Sequence, residues 1–250
     1  MRYLARLKYN GSDFCGWQIQ PNSSTVQEVI EGKLSMLLNE DVKVIGCGRT
    51  DTGVHARDFY LHFDTENIGF EAENLKYKLN SVLPSSIAMI ELRKVSDEFH
   101  ARFSAISRQY KYYINLTKDP FKDNFWFVRQ PLDLRAMREA SSVLMDYEDF
   151  TSFSKLHTDA KTNLCKITQM DIEGNDIHIV ITITANRFLR NMVRAIVGTL
   201  VEIGLGKRPP QDMKRIIEAK NRCEAGSSAP AKGLFLNEIK YPSKLIEGIE

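Results

Sequence analysis

Along these 250 residues the spacing of apolar side chains changes period in one order, and then loosely in that order again. This ordering constrains the fold more than any single residue does. Residues 3–9 alternate, with Ala5, Leu7 and Tyr9 on one side and Arg6 and Lys8 on the other, which predicts a half-buried strand. Thr25-Val26-Gln27-Glu28 is a capping box. It opens a helix to about Leu38, with Val26, Ile30, Leu34, Leu37 and Leu38 as its apolar stripe. Val42 to Ile45 predicts a strand and Phe59 to Phe63 its returning partner. A helix from about Glu71 to Leu83 is stopped by Pro84, and Ile87 to Val95 is a further strand. The order is β-α-β-β-α-β, a ferredoxin-like unit.

The second half follows the same order. Arg108 to Leu116 predicts a strand, and Asp133 caps a helix to about Met145. Ile167 to Ile172 and Ile177 to Thr184 flank Glu173-Gly174-Asn175-Asp176, a hairpin signal. Asn186 to Leu205 predicts a helix, another follows Pro209-Pro210, and Leu234 to Tyr241 closes the chain as a strand. No sequence repeat accompanies the duplication, so it is architectural. The expectation is an α+β fold of two ferredoxin-like (RRM-like) halves, 1–100 and 101–250, with joined sheets, helices on one side and a basic cleft between the halves. No low-complexity linker separates them, so they should pack as one body.

Composition excludes several classes. At 43% hydrophobic and 26% charged residues the chain is an ordinary globular protein, and a core of this size needs no disulfide or structural metal. Cys15, Cys47, Cys165 and Cys223 are far apart without Cys-x-x-Cys, so they predict reduced thiols in the cytoplasm. The five histidines lack metal-ligand spacing; His55, His62 and His100 are expected to be hydrogen-bonding residues. No apolar run approaches the ~18 residues of a membrane span, and the alternating Met1 to Lys8 is not a signal peptide. Net charge is only +2, so binding to nucleic acid would require basic residues gathered on one face.

The chemistry is concentrated in Gly46-Cys47-Gly48-Arg49-Thr50-Asp51-Thr52-Gly53-Val54-His55-Ala56. It sets a carboxylate, Asp51, among small turn-forming residues, with Arg49 two positions before it and His55 four after. The glycines permit tight bending and close approach of a ligand. A guanidinium nearby favours the ionised carboxylate, the state that a nucleophile or general base requires. Asp51-Thr52-Gly53 is also the aspartic-protease signature, but no second Asp-Thr/Ser-Gly occurs, and Arg49 works against the shared proton of such a pair.

Two further segments carry cations. In the run from Phe99 to Tyr113, which includes Arg102, period two puts Arg108, Tyr110 and Tyr112 on one strand face, the alternation that base stacking and phosphate pairing use. Arg187, Arg190 and Arg194 fall at helical spacing opposite Leu189, Val193, Ile196, Val197 and Leu200, with Asn186 as the cap. Cations on a first helical turn oppose the helix dipole, so an external polyanion accounts for them better.

Together these segments resemble the TruA family of tRNA pseudouridine synthases over nearly the full length. The similar stretches are Tyr9-Asn10-Gly11, Phe14-Cys15-Gly16-Trp17-Gln18, Thr25 to Glu28, Gly48 to His55, Phe99 to Tyr112, Asp149 to Phe153, Asn186 to Gly198, and Gly233 to Leu236. Thr52 stands where the family usually has alanine, and Arg57-Asp58-Phe59 replaces a small, Gly-containing step. The resemblance implies isomerisation of uridines 38, 39 and 40 in the tRNA anticodon arm, without cofactor or metal, by a homodimer. It implies Asp51 as the catalytic carboxylate and Arg49 in the space left by the flipped base. Tyr110 would stack on the uracil and Leu234 would pack against the pocket. Arg102, Arg108, Arg187, Arg190 and Arg194 would hold phosphates. The rival from another class is a non-catalytic RNA-binding protein with paired RRM-like halves, which would not need the Arg-Thr-Asp turn.

Overall fold

The structure, a computed structural model, describes residues 1–67, 69–155 and 162–246. Contacts divide the chain into two units: Met1–Ile106 with Leu236–Glu250, and Ser107–Phe235.

The first unit runs β1 (Arg2–Tyr9), α1 (Val26–Leu38), β2 (Val44–Gly46), β3 (His55–Asp64), α2 (Ala72–Val82) and β4 (Ile87–Val95). This is the β-α-β-β-α-β order expected, and the strands pair as that fold requires. β1 lies antiparallel between β3 and β4, and β2 pairs antiparallel with β3. The register places Tyr3, Ala5 and Leu7 opposite Phe63, Leu61 and Phe59, all buried. α1 starts where Thr25 Oγ1 accepts the Glu28 N–H at 3.3 Å and stops at Asn39 in the left-handed region, φ 55°. Val26, Ile30, Leu34 and Leu38 are buried, each contributing about 1.5–3 kcal/mol. Leu37, expected in that stripe, is only half-buried; Glu31 is buried in its place, for a reason given below.

The second unit begins with β5 (Ser107–Asn115), pairs the short β6 (Trp126–Phe127) parallel to it, and continues with α3 (Leu134–Ser142). Asp133 caps α3 by accepting the Arg135 and Ala136 N–H groups. The helix ends earlier than expected because Val143–Asp146 tightens into a 3-10 turn. β7 (Ile167–Gly174) and β8 (His178–Ala185) form the predicted hairpin. Asn175 Oδ1 accepts both the Ile177 and His178 N–H groups, which fixes that turn. β8 pairs antiparallel with β5. α4 (Met192–Gly204) and α5 (Asp212–Ala219) follow. β9 (Leu234–Lys240) ends the order, its residues from Leu236 onward belonging to the first unit, where the last helix, α6 (Ser243–Ile246), also lies.

α4 corrects one expectation. It begins at Met192, six residues after Asn186, and its N-terminal flank is Asn191 at φ 67°. Asn186 follows β8 directly, and its Oδ1 accepts the N–H groups of Lys166 and Arg187, both at 2.8 Å, so it fixes a turn and caps no helix. Arg187 and Arg190 therefore precede the helix, and Arg194 alone of the three lies within it. Leu189, Val193, Ile196, Val197 and Leu200 are all buried as predicted.

Candidate active-site loop

β2 and β3 are joined by residues 47–54, the loop that carries Arg49 and Asp51. It is shorter than the sequence indicated, since β3 begins at His55, where Phe59 had been expected. The chain from Tyr9 to Trp17 supports it throughout. Thr50 C=O accepts the Trp17 N–H at 3.2 Å, and the Gly53 N–H donates to Phe14 C=O at 3.3 Å. Tyr9 OH and Thr50 Oγ1 share a buried hydrogen bond of 2.9 Å. The buried His55 Nδ1 accepts the Gly11 N–H at 3.0 Å. Asp51 itself closes a turn, its C=O accepting the Val54 N–H at 3.1 Å, with Gly53 at φ 76° in the third position, as a type II turn requires. The backbone on either side of the carboxylate is thus committed, while the Asp51 side chain is half-buried.

Two glycines allow this approach. A Cβ on Gly16, whose φ is +89°, would stand 2.6 Å from Thr50 O, and one on Gly11 would stand 2.0 Å from Val54 O. Gly48 has open space at the corresponding position, with nothing within 4 Å. Beneath the loop, the Trp17 indole stacks on Phe59 with ring centroids 4.1 Å apart. A Cβ on Gly46 would strike that indole at 2.6 Å. Cys47, at the head of the loop, exchanges backbone and side-chain bonds with Tyr60: its N–H donates to Tyr60 C=O at 2.8 Å and its Sγ accepts the Tyr60 N–H at 3.4 Å.

The buried Glu31 now has an explanation. Its Oε1 accepts the Val44 N–H at 3.1 Å and the Gln27 Nε2 at 3.0 Å, while Gln27 Nε2 also donates to Val44 C=O at 3.2 Å. Two side chains one turn apart on α1 thus hold both backbone groups of a β2 residue, as a neighbouring strand would. Gln27 Oε1 further accepts the Ile19 N–H at 3.2 Å, tying in the segment after Trp17. The sequence marks Thr25 to Glu28 as a capping box and as part of the resemblance, and the Tyr9 to Gln18 stretch as part of the resemblance, without indicating that either supports the loop. The signal available was two glycines, Gly11 and Gly16, and two aromatics, Phe14 and Trp17, clustered just after a strand.

Asp58, within the Arg57-Asp58-Phe59 departure, is buried and bonded to Arg6 Nε at 2.6 Å and to the Ile239 N–H at 3.2 Å. Burial raises its carboxyl above the usual value, against the lowering effect of Arg6. It anchors β3 to β1 and β9 in the sheet.

The other predicted residues are placed as follows. Arg49 and Arg102 line one depression of ≈ 180 Å³ together with Trp17, Gln27 and Gly48. Arg102, Arg49 and Asp51 belong to the first unit; Arg108, Tyr110, Arg187, Arg190, Arg194 and Leu234 belong to the second. Tyr110 is half-buried, edge-on to Phe188 at 5.2 Å between centroids. Arg108 donates to Asn186 C=O at 2.9 Å. Tyr112, expected on the same open face, is wholly buried. Its hydroxyl donates to Pro230 C=O at 2.7 Å and its ring fills the space that a side chain on Gly233 would need. That face of β5 turns into the core after Tyr110, so it offers no aromatic ladder. Leu234 is buried at the start of β9. Arg194 Nε donates to Ala229 C=O at 2.7 Å, and Arg190 is exposed.

Asp149, in the Asp149 to Phe153 stretch, accepts the Thr151 N–H at 3.1 Å and the Thr151 hydroxyl at 2.6 Å through Oδ1, and pairs with Lys220 at 2.8 Å. The Lys220 ammonium holds its carboxyl below the usual range. Among the described residues no group of three or more His, Cys, Asp or Glu is arranged to hold a metal ion, and no helix is long and apolar enough to cross a membrane.

Comparison with known proteins adds the following. A family model described as tRNA pseudouridine synthase matches residues 5–104 and 147–242. The chain is 48% identical over 248 residues to tRNA pseudouridine synthase A of Bacteroides fragilis, covering 98% of each chain. It is 50% identical over 245 residues to that of Parabacteroides distasonis, covering 98% of this chain and 97% of the relative. It is 42% identical over 238 residues to that of Brevibacillus brevis, covering 94% and 97%.

Proposed function

This chain belongs to the tRNA pseudouridine synthase family, and we propose that it isomerises uridines 38, 39 and 40 of the tRNA anticodon arm through Asp51. Family membership makes the protein an isomerase acting on tRNA, which removes the protease and the non-catalytic binder as alternatives. The observation that supports the catalytic role is the commitment of the backbone around one carboxylate. Thr50, Asp51, Gly53 and Val54 all spend backbone groups on holding a turn, and Asp51 stands on that turn. Preorganisation of this kind matters because a reacting group displaced by about 1 Å can lose about 10²-fold in rate.

In the reaction the N1–C1′ bond breaks, the uracil turns, and a C5–C1′ bond forms. C5 loses its proton and N1 gains one, so nothing is consumed. An ionised carboxylate can serve as the nucleophile towards ring or sugar, or as the base that removes a sugar proton. The uridine must leave its stack to reach it, and Arg49, two residues from Asp51 on the same loop, would occupy the space vacated. Tyr110 would stack on the uracil and Leu234 would pack beside it. Arg102, Arg108, Arg187, Arg190 and Arg194 would hold phosphates, and the chain would act as a cytoplasmic homodimer.

The test is incubation with an unmodified tRNA transcript and mapping of pseudouridine by position. Pseudouridine confined to 38–40 in wild type and absent with Asp51→Asn is expected. Conversion elsewhere, or by the variant, would overturn the assignment.

A further inference from the structure

Phe103 is 75% exposed, and the residues around it are ordered to keep it so. His100 Nδ1 accepts the N–H groups of both Arg102 and Phe103, at 3.2 and 3.3 Å. The His100 N–H donates to Ser104 Oγ at 3.0 Å, and the Ser104 N–H returns to His100 C=O at 2.9 Å. The preceding residue is fixed too, because the Ala101 N–H donates to the buried His62 Nδ1 at 3.1 Å. A benzyl side chain left in water forgoes the free energy of its burial, and a floppy loop would fold it inward. Here a hydrogen-bonded turn presents it outward.

The surroundings of the ring identify the guest. The His100 ring lies 4.3 Å from it between centroids, and the Arg102 guanidinium carbon lies 5.5 Å from its centroid. Arg102 also lines the ≈ 180 Å³ depression beside the Asp51 loop, whose walls carry two arginines and no carboxylate. An exposed aromatic plane beside cations is what an unpaired nucleobase and its phosphate recognise. The strand face to which sequence reading assigned stacking closes at the buried Tyr112.

We propose that Phe103 is a base-stacking residue that takes an unpaired nucleobase of the substrate RNA near the target uridine, with Arg102 against the adjoining phosphate. This rests on the reading of the Asp51 loop as the catalytic site.

The experiment compares wild type with Phe103→Ala, Phe103→Leu and Phe103→Trp on unmodified tRNA transcript, and on transcripts with 2-aminopurine at single unpaired positions of the anticodon arm. Affinity and fluorescence are measured without reference to turnover. Phe103→Ala and Phe103→Leu should bind about 5- to 100-fold more weakly. They should also lose the quenching that wild type shows at one position, and Phe103→Trp should restore both. Leucine keeps the apolar bulk without the plane, so wild-type affinity in that variant would overturn the proposal. Quenching retained in the alanine variant would overturn it as well. A change of oligomeric state in the alanine variant would instead make a second copy of the chain the occupant. If wild type forms no pseudouridine while the affinity pattern holds, the catalytic reading fails and the stacking role stands. If wild type converts tRNA and the variants bind equally well, the reverse follows.

Discussion

The hydroxyls of Tyr9 and Thr50 lie 2.9 Å apart in the buried interior, linking the end of β1 to the residue before Asp51. Tyr9→Phe strands the Thr50 hydroxyl, at a cost of about 1–3 kcal/mol. The melting temperature should fall by several degrees, and kcat on tRNA should fall more than KM rises. A variant with wild-type kcat would show that the bond does not position the loop.

Asp51→Asn preserves shape and removes charge. Pseudouridine formation should drop below detection while tRNA affinity stays within a few-fold of wild type, measured by binding titration beside positional mapping. Normal turnover by this variant would exclude Asp51 as the reacting group.

Gly16 and Gly48 form a matched pair for substitution. Gly16→Ala forces a Cβ to 2.6 Å from Thr50 O at a φ of +89°, so activity should fall by about 100-fold or more as the loop shifts. Gly48→Ala meets nothing within 4 Å and should melt within about 1 °C of wild type. Equal activity and stability in the two variants would contradict the cradle.

Arg190 and Arg194 should separate by salt and heat. Arg190 is exposed, so Arg190→Ala should reduce the slope of log affinity against log salt by about one, with little change in melting temperature. Arg194 bonds Ala229 C=O, so Arg194→Ala should also lower stability by about 1–2 kcal/mol. An unchanged salt slope for Arg190→Ala would remove it from the phosphate contacts.

His62 predicts an acid limb of stability. Burial, then the Arg2 guanidinium and His100, push its imidazole down to about 4 from 6.5. Below 6.5 the unfolded chain takes up a proton that the folded chain refuses. Stability should therefore fall as pH drops from about 6.5 to about 4, by as much as about 3 kcal/mol. Urea midpoints across that range should fall more gently for His62→Gln, whose amide oxygen can still accept the Ala101 N–H. Parallel curves would refute the linkage.

Element order was legible in the sequence because period and capping chemistry are local: Thr25, Asp133 and Asn175 each act within three residues. The start of α4 was not, since Asn186 follows helical spacing yet spends its side chain on Lys166, twenty residues away in sequence. Tyr112 fails in the same way. Alternation assigns it a face, but only tertiary packing decides that the face closes over at Pro230 and Gly233. At the site, the carboxylate and its arginine stood out as residue types. The support from Tyr9, Gly11 and Gly16 did not, because it depends on distances between segments about 35–45 residues apart.

The open space at Gly48 has a practical consequence. It is an attachment point three residues from Asp51 where a spectroscopic reporter can be grafted without disturbing the scaffold. In a Cys223→Ser background, which removes the exposed native thiol, a cysteine introduced at position 48 would carry a fluorophore to the mouth of the site. Such a label would time the arrival and departure of RNA in single turnovers.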